Sequence, residues 1–229
     1  MYKDRPLCYT LKMPSPNTIK TFTEDGYYHI YNRGVEKRRI FEDAQDYKMF
    51  LYYLKVYLSP LDILHQEYPL LRINIVNNNL SEEVSLLAYC LMPNHFHMLL
   101  HQKTNDGIPK LMKQIATAYA MYFNKRYERV GPLFQGIYKA VMVTTDEQLL
   151  HLSRYIHLNP IDRGVSLQDF QWSSYKKYIK NEGPGWVKTS PILDFFNSQN
   201  PNFSYENFVE KSIEESPTIS QLTLDRDTL

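Results

Sequence analysis

With 229 residues, 43% of them hydrophobic and 22% charged, and a formal net charge of +1, the chain has the composition of a folded globular protein. The near-zero charge excludes a global basic field, so any nucleic-acid footprint has to be local. Two cysteines, Cys8 and Cys90, exclude a disulfide framework and point to a cytoplasmic setting.

Residues 1–22 are polar and carry Pro6, Pro14 and Pro16, which predicts an extended arm. Their opening, MYKDRPLCYTLKMPSP, lacks the apolar stretch of a signal peptide. GYYHIYNRG at 26–34 is rich in strand-forming residues and ends in a turn, which predicts a first strand. From Glu42 the spacing of Tyr47, Phe50, Leu51, Leu54 and Leu58 is helical. VSLLAYCLM at 84–92 reads as a buried strand, broken by Pro93-Asn94, and HFHMLLH as a second strand, making a hairpin or one bent continuous strand with it. A long amphipathic helix follows from Gly107, with Ile108, Leu111, Met112, Ile115, Tyr119 and Tyr122 on one face, and Gly131-Pro132 as its stop. FQGIYKAVMVTT at 134–145 reads as a strand. Thr145, with Gln148 three residues on, suggests a capping box for a helix that stops at Pro160.

The order predicts an α+β fold, a ferredoxin-like or RRM-like antiparallel sheet with helices mainly on one face. The domain would span 23–180. A small helical extension over 181–229 would follow, ending in a frayed tail. No run approaches the roughly 18 apolar residues of a membrane span.

Residues i and i+2 of a strand point to one side, so His95 and His97 would present two imidazoles on one face. That is a two-point grip on a divalent metal; it is equally the pattern of two strand histidines with ordinary hydrogen bonds. In the helix after Thr145, Leu149, Leu152 and Ile156 form the core stripe. His151, Tyr155 and Asn159 recur at i, i+4 and i+8 on another side. Tyr155 and Asn159 could be a nucleophile and a further metal ligand, or packing residues. Basic residues gather after the first strand (Arg33, Lys37, Arg38, Arg39) and at the end of the long helix (Lys125, Arg126, Arg129), with Lys113 and Lys139 nearby in sequence. Interleaved with tyrosines they suit a groove for single-stranded nucleic acid. They suit a solvated turn and a helix C-terminus equally well.

Taken together, GYYHIYNRG, AYCLMPNHFHMLL, GPLFQGIYKAV and LSRYIHLNP, in this order, resemble the REP-associated tyrosine transposases. These are relatives of the insertion-sequence-200 transposases within the HUH single-strand endonucleases. The resemblance runs from about Gly26 to Tyr178. It implies His95 and His97 as metal ligands, Asn159 as the third, Mg²⁺ or Mn²⁺ as the ion, and Tyr155 as the nucleophile. The implied reaction cleaves and rejoins single-stranded, hairpin-flanked DNA through a 5′-phosphotyrosine. Arg33, Arg38, Arg39, Lys113, Arg126 and Lys139 are the candidate DNA contacts. A homodimer is possible, as is nucleoid association when DNA is bound. The alternative is a domesticated DNA- or RNA-hairpin binder that does not cleave.

Overall fold

The computed structural model describes residues 21–70, 73–197 and 199–215. All but the last two residues of the arm expected at 1–22, and the tail beyond 215, lie outside the described residues. Four strands form one sheet in the order β2-β3-β1-β4. They are β1 (Gly26–Arg33), β2 (Val84–Met92), β3 (His95–Gln102) and β4 (Lys139–Val143), and every neighbouring pair is antiparallel. Helix α1 (Ala44–Leu58) connects β1 to β2, with the short α2 (Leu61–Glu67) and α3 (Ile73–Asn77) behind it, and α4 (Gly107–Arg126) connects β3 to β4. This is the ferredoxin-like arrangement, with β1 and β3 at its centre.

Alternation sorts the strand residues onto two faces. Tyr28 and Ile30 of β1, with Phe96, Met98 and Leu100 of β3, pack under Phe50 and Leu54 of α1 and Leu111, Ile115 and Tyr119 of α4. Leu99 of β3 and Ala88 and Cys90 of β2 point the other way. They meet Leu149 and Ile156 of α5 (Asp146–Leu158), Tyr175 of α6 (Tyr175–Lys180), Ile192 of α7 (Ser190–Leu193) and Tyr205 and Val209 of α8 (Tyr205–Glu215). The C-terminal helices are therefore part of a second core that seats α5 on the sheet. Among the described residues no helix is long and apolar enough to cross a membrane.

Three boundaries differ from expectation. The strand expected at 134–145 is paired only over Lys139–Val143. Gly136 at φ 79° is left-handed, outside the extended region of a regular strand, and Phe134 bridges Gly34 instead. Helix α4 ends at Arg126, before Gly131-Pro132, where Glu128 at φ 51° reverses the chain. The capping box at α5 is offset by one: Thr145 Oγ1 accepts from Gln148 N, but the Gln148 side chain accepts from Thr144 N rather than Thr145 N.

Candidate active site

Only Pro93 and Asn94 separate β2 from β3, so His95 follows directly on a tight turn. The turn is held from outside. Ile40 N and Phe41 N donate to Pro93 O at 2.8 and 3.0 Å, and Gly34 N donates to Asn94 O at 2.8 Å. Gly34 allows this approach because a Cβ there would lie 2.2 Å from Arg38 O. The turn thus fixes the end of β3 against the end of β1.

The β1–β3 register pairs Arg33 with His95 and Tyr31 with His97, and β4 adds Lys139 opposite Tyr31. By alternation, His29, Tyr31, Arg33, His95, His97 and Lys139 share one face. Helix α5 crosses that face. The Tyr155 ring stands nearly perpendicular to His97, centroids 5.4 Å apart, and to His29, 6.0 Å apart. The rings of His95 and His97 are 5.0 Å apart. One turn beyond Tyr155, Asn159 is 8% exposed; its Nδ2 donates to Tyr155 O at 2.9 Å, and its side chain is within hydrogen-bonding reach of His95.

These contacts orient the nitrogens. Asn94 Nδ2 donates to Lys37 O at 3.4 Å and Asn94 Oδ1 accepts from Arg163 Nη2 at 3.4 Å, so the amide is held with its oxygen toward His95. His95 Nδ1 lies 2.8 Å from that oxygen and must carry the proton, which makes its Nε2 a lone pair. Asn159, whose nitrogen is committed to Tyr155 O, presents its own oxygen. A lone-pair nitrogen and a carbonyl oxygen side by side are two acceptors, the arrangement a cation satisfies. His97 is held through Nδ1 by His29 Nε2 at 2.9 Å. Burial is the main cause that lowers the His95 pKa to about 4, with a raising contribution from Asn159 and further lowering by Arg163 and Arg33. Burial, then His95 and His29, hold His97 well below the ordinary value. Both rings are neutral at neutral pH, the form in which imidazole binds metal. Among the described residues no group of three or more His, Cys, Asp or Glu could hold a metal. Two imidazoles and one carboxamide come together here, a set whose chemistry would fit a divalent ion that keeps open positions for water or phosphate.

The basic residues divide. Arg33, hydrogen-bonded to Gln135, and Lys139 lie on the site face. Arg38 is exposed on the loop that braces the turn, where Arg39 is 3.2 Å from Glu42. Lys113 and Arg126 are on α4, which covers the opposite face. Arg126 is also forked by Asp43 and Asp46, each at 2.6 Å, and so anchors α4 to α1.

Two residues beside the site escaped the sequence reading. Arg163, in the turn led by Pro160, reaches Asn94 and lowers the His95 pKa, yet no motif spacing marks it. His29 touches His97, and the only available signal was its alternation with Tyr31 and Arg33.

The model of the family described as "Transposase IS200 like" matches residues 23–159, which include every residue of the His95–His97–Tyr155–Asn159 cluster. No functionally curated protein matches the sequence. Among solved structures, one is a REP-associated tyrosine transposase bound to a REP hairpin, at 13% identity and a TM-score of 0.47, covering 81% of this chain and 94% of that one. Another is a candidate transposase from Deinococcus radiodurans R1, at 15% identity and a TM-score of 0.35, covering 68% and 95%. The family match spans more than half of the 229 residues and ends on the asparagine that closes the site: the chain belongs to the IS200-like transposases.

Proposed function

We propose that the protein is a metal-dependent endonuclease and strand transferase acting on single-stranded, hairpin-flanked DNA, with Tyr155 as the nucleophile. The observation that carries this reading is the meeting of Tyr155 with His95, His97 and Asn159, which come from a strand and a helix far apart in sequence. His95 Nε2, His97 Nε2 and Asn159 Oδ1 would hold Mg²⁺ or Mn²⁺. When bound, the ion supplies charge stabilisation at the scissile phosphate.

The chain's own groups do the rest. Tyr155 Oη bonds to phosphorus as its proton leaves, and the bond from phosphorus to the 3′ oxygen breaks. The products are a 5′-phosphotyrosine and a 3′-OH. One phosphate ester replaces another, so the 3′-OH of a second strand can reverse the step without ATP. Arg33, Lys139 and the exposed Arg38 and Arg163 border the site and suit the DNA backbone. All four site residues come from one chain, so a monomer can supply the complete site. An open-sheet RNA-binding reading fares worse, because α5 and the C-terminal helices cover the face such a protein would offer to bases.

The test is incubation with Mn²⁺ and a hairpin oligonucleotide labelled at its 3′ end. A labelled protein band that survives boiling in detergent is expected, and Tyr155→Phe should lose it. Hairpin binding without an adduct in the wild type would favour the non-cleaving binder.

A further inference from the structure

We infer that His29 is a positioning residue: it accepts a hydrogen bond from His97 Nδ1 and so keeps the His97 Nε2 lone pair for a metal. This rests on the metal reading above.

A neutral imidazole carries one N–H and one lone pair, and coordination needs the lone pair on the coordinating nitrogen. His95 obtains that arrangement from Asn94. His97 has no amide at the equivalent place; its Nδ1 meets His29 Nε2 at 2.9 Å. The two rings are within 22° of coplanar with centroids 5.1 Å apart, so they meet edge to edge and the hydrogen bond lies in both ring planes. Two arrangements satisfy this contact. If His29 donated, the His97 proton would move to Nε2 and the site would lose a ligand. If His97 donates, both site histidines present Nε2 lone pairs together.

The placement is built to hold. His29 is diagonal to His97 across the β1–β3 ladder, where the register has Tyr31 opposite His97 and Leu99 opposite His29. It is 1% exposed, and Tyr31 lies against it at 4.8 Å between centroids. Its Nδ1 has no hydrogen-bond partner, so the contact with His97 is the one polar tie this buried ring makes among the described residues. Groups of this kind typically change metal affinity by about 10–100-fold when removed.

The experiment uses the full chain. Nitrogen NMR of metal-free, ¹⁵N-histidine-labelled protein reads the tautomer directly. His97 is expected as the Nδ1–H form, and an Nε2–H form would overturn the proposal. In parallel, calorimetry with Mn²⁺ alone compares wild type with His29→Leu and His29→Gln. His29→Leu should weaken Mn²⁺ binding by about tenfold or more. His29→Gln, which can place an acceptor oxygen near the position of Nε2, should recover most of it. Equal affinity in all three proteins would contradict the role. If His29→Leu fails to fold, the wild-type tautomer still decides. If the wild type binds no Mn²⁺ while His97 is Nδ1–H, the metal reading fails and the hydrogen-bond assignment stands, so the two failures are told apart.

Discussion

At the scale of single residues, the site depends on where protons sit on two rings. Asn94 fixes the His95 proton through an amide that is itself held by Lys37 O and Arg163. Replacing His95 by Ala should therefore abolish Mn²⁺ binding in calorimetry while leaving the circular dichroism spectrum unchanged, because His95 is a partly exposed side chain at the strand end. Retained Mn²⁺ affinity would refute its assignment as a ligand. The pair was legible in the sequence because strand alternation is local and the i, i+4 spacing of Tyr155 and Asn159 is local too. His29 was not. Its partner is 68 residues away, and only the strand register brings them together.

At the scale of elements, the question is what keeps Tyr155 over its own chain's histidines. Helix α5 is tied to the C-terminal helices by a buried polar network. His157 joins Tyr205 Oη and Ser174 Oγ, each at 2.8 Å, and Tyr205 Oη donates to Ser153 Oγ at 3.0 Å. Ser174 in turn accepts from Tyr89 N on β2 at 2.9 Å, so the network runs from α8 through α5 to the sheet. Tyr205→Phe strips a partner from both His157 and Ser153. It should cost about 1–3 kcal/mol in urea unfolding and leave Mn²⁺ affinity unchanged. An unchanged midpoint would mean the network is not holding α5. Ser190–Leu193 and Tyr205–Glu215 fall within the helical extension expected after residue 180, whereas Tyr175–Lys180 is a helix the sequence reading left unassigned. Their packing against α5 depends on which faces meet, and local pattern carries no record of that. The same limit applies to Lys113 and Arg126. Their charge is legible, but α4's position on the far face is a tertiary fact.

At the scale of the whole molecule, three histidines lie buried within the fold: His29, His97 and His157. Burial lowers His29 and His157 from 6.5 to about 3 and lowers His97 in the same direction. On acidification the unfolded chain takes up these protons first, starting near pH 6.5. Stability is therefore fully present above that value and falls toward pH 3. His29 and His157 each contribute a slope of at most about 1.4 kcal/mol per pH unit, so on the order of 2 kcal/mol each is lost by pH 5, and His97 adds to the loss in the same direction. Urea unfolding of the metal-free protein at pH 7.5 and 5.0 measures this, and equal stability at the two values would show that these rings are not held neutral in the fold.

The most direct test of the central claim is to map the DNA adduct. The protein is reacted with Mn²⁺ and a hairpin oligonucleotide, digested with protease and nuclease, and the modified peptide is sequenced by mass spectrometry. A nucleotide phosphate on Tyr155, in the peptide of α5, is the expected result. A nucleotide on any other residue, or cleavage with no covalent protein product, would contradict the assignment of Tyr155 as the nucleophile.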